Sequence, residues 1–211
     1  MIRMSKMEPP EIGAARCCVS WYAGLCVVTL VLLAFSCQVQ GQIKVGPIPM
    51  AATPDSVTVS INSGASQSIL SLVAGTTNNF AGGPLNITTS WASLKPGRTA
   101  VALYGYFTNA NAALAHTSAG NTVDIPSAAV KVRINGVGVF NPFSSVVPFT
   151  GTASGRLLVT QSISGTNKSG NRTDTFDLQI DLSGVANGQD MRILPPDTYQ
   201  GTLHIQAQAT P

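Results

Sequence analysis

The sequence predicts an all-β fold, an antiparallel sandwich or barrel, and three observations support this prediction. Residues 42–211 contain 17 Ser, 19 Thr and 12 Asn, whose short polar side chains favour strands and turns because they compete for helical backbone hydrogen bonds. Apolar and polar residues alternate in several short segments, which is typical of half-buried strands. Turn-forming pairs rich in Gly, Pro and Asn separate these segments.

Eight segments have the pattern of strands. The clearest alternation runs through residues 175–182, where every even position is apolar and every odd position is polar. Residues 99–107 are apolar on both faces, so this strand is predicted to be central in its sheet. Only residues 109–119 have Ala-rich spacing that predicts a short helix. The predicted strands are 56–61, 68–73, 85–91, 99–107, 130–135, 157–163, 175–182 and 202–209.

Residues 1–41 are predicted to form a signal peptide. A short apolar run follows Arg3, Lys6 and Arg16, and small residues before Gln42 suit peptidase cleavage there. All four cysteines lie in this leader, so the exported part has no thiol chemistry. The alternatives are lipidation at Cys37 and retention of residues 19–36 as an uncleaved anchor. We therefore expect a secreted, periplasmic or cell-surface protein.

The sequence of the exported part predicts one domain at residues 55–211. This range is long enough to enclose one hydrophobic core. Residues 42–54 precede it and contain Pro47, Pro49 and Pro54, which cannot donate ladder hydrogen bonds. We interpret residues 42–54 as a Pro-containing linker or N-terminal extension. The alternative is a donor strand that pairs with another subunit, which would give a homo-oligomer by strand addition.

Composition excludes several classes of function. Four Lys and five Arg stand against seven Asp after residue 41, and they are scattered, so nucleic-acid binding is excluded. With neither Cys nor Glu there, thiol nucleophiles, Cys metal clusters and Glu-based glycosidase pairs are impossible. His116 and His204 have no second metal-type ligand beside them. We expect no enzyme activity, no catalytic residue, no metal and no cofactor; a Ser-His-Asp hydrolase is the least favoured alternative.

Aromatic residues offer one candidate binding surface. Trp91, Tyr104 and Tyr106 could form a platform on which sugar rings stack. Their place in the most hydrophobic strands instead favours the core, because large aromatic side chains dominate protein interiors. The core interpretation is preferred.

Polar residues offer weaker candidates. Asp174, Asp177 and Asp181 are interpreted as solvated charges, since Asp177 and Asp181 on one strand lie about 13 Å apart, too far to share a calcium ion. The polar loop 164–174 is interpreted as a hydrated hairpin tip. The N-glycosylation pattern occurs at Asn86, Asn167 and Asn171.

Two segments carry a resemblance to known proteins. The segment Leu194-Pro-Pro-Asp-Thr-Tyr-Gln-Gly-Thr-Leu-His-Ile-Gln-Ala-Gln208 is similar to the closing strand of bacterial surface sandwich domains, notably the spore coat protein U and fimbrial-subunit group. Residues 88–107 resemble a recurring pattern in uncharacterised secreted bacterial proteins. The resemblance implies an immunoglobulin-like sandwich outside the cell, and Tyr199 would close one end of it as corner tyrosines do.

These observations lead to an expected function. We expect a non-enzymatic exported structural or adhesive subunit, at the cell surface or outside the cell, with pilus-like assembly as one form. The alternative is a carbohydrate-binding or envelope-accessory module. The expected partners are other protein subunits and glycans, and the membrane is contacted only through an uncleaved or lipidated leader.

Overall fold

A computed structural model describes the protein over residues 41–47, 55–145, 148 and 151–211. The predicted signal peptide lies outside the described residues except for Gly41, as do Cys37 and residues 19–36. Among the described residues, no helix is both long and apolar enough to cross a membrane.

The described residues form fourteen strands and two 3-10 helices, at Ser127–Ala129 and Met191–Ile193, and contain no α-helix. The strands are β1 (Gly41–Pro47), β2 (Ser56–Ser63), β3 (Ser66–Ile69), β4 (Thr77–Asn79), β5 (Leu85–Ala92), β6 (Ala100–Phe107), β7 (Ala115–His116), β8 (Val130–Ile134), β9 (Val137–Pro142), β10 (Ser154–Ser162), β11 (Gly170–Asp181), β12 (Val185–Ala186), β13 (Gln189–Asp190) and β14 (Tyr199–Thr210).

Two six-stranded sheets make up the body of the fold. Sheet A has the order β10-β6-β14-β1-β3, with β7 also paired to β14. Sheet B has the order β2-β5-β11-β8-β9, with β4 also paired to β11, and β12 and β13 form a separate small hairpin. Every pairing is antiparallel except that of β1 with β14. The predicted all-β antiparallel sandwich is therefore confirmed.

The core lies between the sheets and follows from the alternation in the sequence. Ile87 of β5, Leu103 of β6 and Phe176 of β11 are at most 2% exposed and belong to one hydrophobic cluster. Phe107 and Phe143 meet edge to face, with their ring centroids 5.4 Å apart, a favourable geometry for aromatic pairs. Because successive side chains of a strand point to opposite faces, burying one set leaves the other set on the outer faces of the sandwich.

Seven of the eight predicted strands are present with shifted ends, whereas only Ser68 and Ile69 of the strand predicted at 68–73 lie in a strand, β3. The strand predicted to be central, β6, lies between β10 and β14 in sheet A. The Asn135-Gly136 turn signal connects β8 to β9, and both residues have positive φ, 50° and 67°. Such a turn requires positive φ at both positions, which Asn and Gly tolerate best.

The helix predicted at residues 109–119 is wrong. This segment contains β7 and an isolated bridge from Leu114 to Ile125, and β7 pairs with the start of β14. Leu114 is completely buried. Eleven residues, about three turns of Ala-rich sequence, are too few to hold a helix alone, so burial of Leu114 and sheet pairing decide the conformation.

The residues predicted as a linker or extension lie only partly in the described chain. Residues 42–47 belong to β1, which pairs in parallel with β14 on one side and antiparallel with β3 on the other. Residues 48–54 lie outside the described residues. The backbone of β1 thus lies between two strands of the chain's own sheet A.

Candidate functional site

A groove of about 360 Å³ lies on the outer face of sheet B. The connection from β4 to β5 forms one bank, β9 forms the other, and outward-facing side chains of β8 and β11 form the floor. From β5 to β9 there are three interstrand spacings, about 14 Å of sheet. The groove is therefore built on paired strands rather than on loops alone.

Aromatic side chains line both banks. Phe80 and Pro84 lie on the β4–β5 side and Phe140 lies on the β9 side. The Arg133 guanidinium sits over the Phe140 ring, 4.8 Å from its centroid, a cation–π contact that holds both groups in place. Phe80 and Phe140 are each half-buried, so part of each ring remains open to a ligand.

The first polar pair of the floor joins β8 to β11. Arg133 Nε donates to Oδ2 of Asp177 at 3.0 Å, and Nη2 lies 2.9 Å from the same oxygen. Within the described chain no group bonds to the other carboxylate oxygen, Oδ1, or to Nη1 of Arg133. The pair therefore offers a ligand one acceptor and one donor.

The second polar pair of the floor joins β11 to β4. Gln179 Nε2 donates to Oδ1 of Asn79 at 2.9 Å. The carbonyl of Gln179 and the amino group of Asn79 have no partner in the part of the chain that the structure describes. This pair, too, leaves one acceptor and one donor available.

A third cross-strand pair lies beside the groove without lining it. Lys131 donates to Asp181 at 2.5 Å, and Ser183 also donates to this carboxylate. These hydrogen bonds, that of Lys131 above all, lower the pKa of Asp181 to about 2. The two positive charges, on Lys131 and Arg133, thus balance the two negative charges, on Asp177 and Asp181. The net charge of these four side chains is zero.

The aromatic platform considered from sequence is split by the fold. Trp91 is 6% exposed, belongs to a small core cluster and donates from Nε1 to the Asn167 carbonyl at 2.9 Å. Tyr104 and Tyr106 are half-buried on the outer face of sheet A, where Tyr106 stacks on His204 with ring centroids 5.3 Å apart. The core interpretation is therefore right for Trp91 and wrong for the two tyrosines, which alternate with core residues along β6.

Burial shifts the pKa values of the stacked pair on sheet A. It raises the pKa of the Tyr106 phenol and lowers the pKa of His204. Both shifts favour the neutral forms. His204 is a half-buried side chain on the polar face of β14.

The prediction that Asp174 is a solvated charge is wrong. Its side chain is 3% exposed, accepts a bidentate pair of hydrogen bonds from Arg172, and also accepts one from Asn135 at 2.8 Å. Position 174 shares the inward face of β11 with Phe176, so the alternation that buries Phe176 also buries this carboxylate. Asp177 and Asp181 face outward, as predicted, but they are ion-paired.

His116 has one carboxylate partner. Its Nδ1 lies 2.7 Å from Oδ1 of Asp124, and both side chains are about a quarter exposed. No Ser or Thr hydroxyl of the described residues is bonded to the imidazole, and His204 lies on another strand. The described chain also contains no group of three His, Cys, Asp or Glu side chains that could hold a metal ion.

The three asparagines that carry the N-glycosylation pattern differ in the hydrogen bonds of their side-chain amides. The Asn86 side chain accepts from Asn62, and the Asn167 side chain bonds to the backbone at Ser162 and Ser164. Asn171 is exposed at the start of β11. The loop before it is therefore partly ordered by Asn167 rather than being only a hydrated tip.

A buried polar cluster surrounds the start of β14. Tyr199 is completely buried; its hydroxyl donates to the Pro195 carbonyl at 2.7 Å and accepts from Asn121 at 2.9 Å. The Asp197 carboxylate, also buried, accepts from Ser118, Asn121 and the backbone of Thr198. The bond from the Tyr199 hydroxyl to a carbonyl four residues upstream is the hydrogen bond typical of a tyrosine corner.

No protein-family model matches this chain, and no curated protein matches it significantly. The groove itself had no signature in the sequence. Its aromatic residues, Phe80 and Phe140, come from a connection and an edge strand that no periodic pattern marked. The Asn135-Gly136 turn was the one usable signal, because it brings β9 back beside β8.

Proposed function

We propose that this protein is an exported, non-enzymatic adhesive subunit that acts outside the cell by holding a ligand in the sheet B groove. The observation that carries the proposal is the groove itself, with aromatic banks and a floor on which two side-chain pairs each keep a donor and an acceptor available. A concave site with few convergent polar groups is the usual form of a ligand site. The signal-peptide pattern supports export.

The position of the groove suits adhesion. Its floor side chains come from paired strands, so ligand groups meet donors and acceptors that are already held in place. Preorganisation of this kind reduces the entropy lost on binding. The groove also opens on the outer face of a sheet, where a ligand attached to a large surface can reach it.

A cell-binding assay tests the adhesive function. Fluorescently labelled protein is applied to intact cells of the producing strain and to their isolated extracellular matrix. We expect binding that Arg133→Gln and Phe140→Ala weaken, because the former removes a floor donor and the latter one bank. The matched controls are Lys131→Gln, on the same strand but outside the groove, and Val139→Ala, next to Phe140 and 74% exposed. Binding that all four variants retain equally would overturn the proposal.

Pilus-like assembly by strand addition is a second candidate, and the environment of β1 favours it. The backbone of β1 pairs with strands on both sides, β14 and β3, so a copy of β1 from another chain would find the same two partners. Exchange of an identical element between subunits is a simple route to oligomers. In that assembly, β1 of one subunit would fill the sheet of the next.

A disulfide-trapping experiment separates the folded monomer from the exchanged assembly. Lys44 lies opposite Thr202 in the parallel pair, and no natural cysteine follows residue 37. Oxidation of a Lys44→Cys, Thr202→Cys variant of the exported part should give cross-linked ladders on a non-reducing gel if β1 is exchanged. Monomers with an internal disulfide at every protein concentration would reject strand exchange.

A further inference from the structure

We propose that the ligand of the sheet B groove is an uncharged glycan segment, which lays a ring on Phe140 or Phe80 and fixes vicinal hydroxyls on the floor pairs. The inference rests on the proposed adhesive function and names the chemistry of its ligand.

The unused atoms of the floor match sugar hydroxyls. A hydroxyl both donates and accepts, and each floor pair presents one acceptor next to one donor: Asp177 Oδ1 with Arg133 Nη1, and the Gln179 carbonyl with the Asn79 amino group. Two neighbouring hydroxyls on a ring can therefore use both members of a pair. A ligand with only acceptors, or only donors, would leave half of these groups unpaired.

The charge balance of this face favours an uncharged ligand. Asp177 is held by Arg133, and Asp181 is held by Lys131 just outside the groove. An anion would have to compete with Asp177 for the guanidinium, while a cation would compete with Arg133 for the carboxylate. Because nearby charges of both signs cancel, an ionic ligand gains little net attraction.

The banks supply apolar contact. A sugar ring has an apolar face of C–H groups, and burial of such a surface against an aromatic ring is favourable. Arg133 fixes Phe140 by lying over its ring, so the ring loses little conformational freedom when a ligand binds. Phe80 packs partly against the main core, which fixes the opposite bank in the same way.

The size of the groove suits a short stretch of a longer chain. Its volume of about 360 Å³ lies near the lower end of the range for small-ligand sites, about 300–1,000 Å³. The floor lies on an open sheet face, so a polysaccharide could continue beyond the groove at both ends. A terminal sugar is not required.

A glycan array with the exported part of the protein tests the inference directly. The array carries neutral, sulfated and carboxylated oligosaccharides. We expect binding to neutral glycans, weakened roughly tenfold or more by Asp177→Asn or Phe140→Ala, since the former removes a charged acceptor and the latter an apolar contact. Asp181→Asn and Val139→Ala, the matched changes outside the groove, should bind as the unmodified protein does. Circular dichroism and thermal melting confirm that each variant is folded.

Three outcomes would overturn the inference: no glycan bound, binding confined to charged glycans, or neutral-glycan binding that the groove variants leave unchanged. The adhesive function is tested separately by measuring binding to cells that have been treated with periodate, which cleaves vicinal diols, or with protease. Groove-dependent adhesion that survives periodate and is lost after protease keeps the adhesive function and rejects the glycan. Absence of groove-dependent adhesion rejects the adhesive function, whatever the array shows.

Discussion

Asp197 and Asp177 have different roles in the structure. Asp197 belongs to the corner, the buried hydrogen-bonded cluster around Tyr199, and Asp177 belongs to the floor of the sheet B groove. Asp197 is buried, and both its oxygens accept hydrogen bonds, from Thr117, Ser118, Asn121 and the backbone. Asp177 is 27% exposed, and its partner, Arg133, uses only one of its oxygens. A buried carboxylate with every site filled stabilises the fold, whereas a partly used one beside a cavity can bind a ligand.

The comparison makes a general prediction about mutations. Changes at the corner should lower the free energy of unfolding and leave ligand binding intact wherever the variant folds. Changes on the groove floor should weaken ligand binding and leave the free energy of unfolding almost unchanged. The four predictions below run from the largest expected effect to the smallest.

The strongest stability effect is expected at Gly201, next to the corner on β14. A Cβ atom at this position would lie 1.9 Å from the Ala113 carbonyl oxygen, so Gly201→Ala forces the backbone of two segments apart. We expect a loss of about 3 kcal/mol or more in the free energy of unfolding, measured by urea denaturation. Gly120→Ala is the control, because nothing lies within 4 Å of its Cβ position. Equal stability of the two variants would contradict the assigned packing.

The hydroxyl of Tyr199 should contribute to the free energy of unfolding through its two hydrogen bonds, in addition to the burial of the ring. Tyr199→Phe keeps the ring but removes the bond to the Pro195 carbonyl and the acceptor for Asn121. Leaving buried polar groups unpaired costs about 1–3 kcal/mol. Chemical denaturation should show this loss, while the glycan-array profile stays that of the unmodified protein. A variant as stable as the original would show that the corner hydrogen bonds contribute nothing.

Acid should weaken the corner through Asp197. Burial raises the pKa of this carboxyl, but hydrogen bonds from Asn121, Ser118 and Thr198 outweigh it, and the net pKa is well below the usual value. A pKa lower in the folded state than in the unfolded state, where it is about 3.9, stabilises the fold above about pH 4, and this stabilisation is lost as the pH falls further.

Melting temperatures of the unmodified protein and of Asp197→Asn should therefore differ most near neutral pH and converge below about pH 4. Asp190→Asn provides a comparison at the end of β13, since hydrogen bonds from Arg192 lower the pKa of that carboxyl to about 2. A stability gap between Asp197→Asn and the unmodified protein that stays constant from pH 7 to pH 3 would refute the role assigned to the charged form of Asp197.

The smallest effect is expected for the outward ion pairs of sheet B. A double-mutant cycle with Lys131→Gln and Asp181→Asn should give a coupling energy of about 0.2–1 kcal/mol, as is usual for exposed pairs. The same cycle with Arg133→Gln and Asp177→Asn should give a coupling energy in that range. A coupling energy well above this range would show that the Arg133–Asp177 pair stabilises the fold as the hydrogen bonds of Asp197 do. The contrast between the two aspartates would then be wrong.

Much of the fold could be predicted from the sequence, and the failures have a physical pattern. Long strands with strict alternation, such as β11 and β14, were found because each buries one face. Strands β4, β7, β12 and β13 have two or three residues each, too few for a period to be visible. Asp174 was misplaced because a polar residue at an inward position breaks the alternation, and only its pairing with Arg172 and Asn135 makes that position tolerable.

The sequence by itself determined that residues 42–211 are mainly an antiparallel β-structure without Cys or Glu side chains, because composition and alternation act locally along the chain. Only the tertiary structure decided where a ligand could bind. Phe80 and Asp177 are distant in sequence from each other and from Arg133 and Phe140, which lie on one hairpin. The pairing of β8 with β11 brings Asp177 to this hairpin, and the connection after β4 adds Phe80. A groove depends on register between strands, and register is set by the packing of the whole sheet.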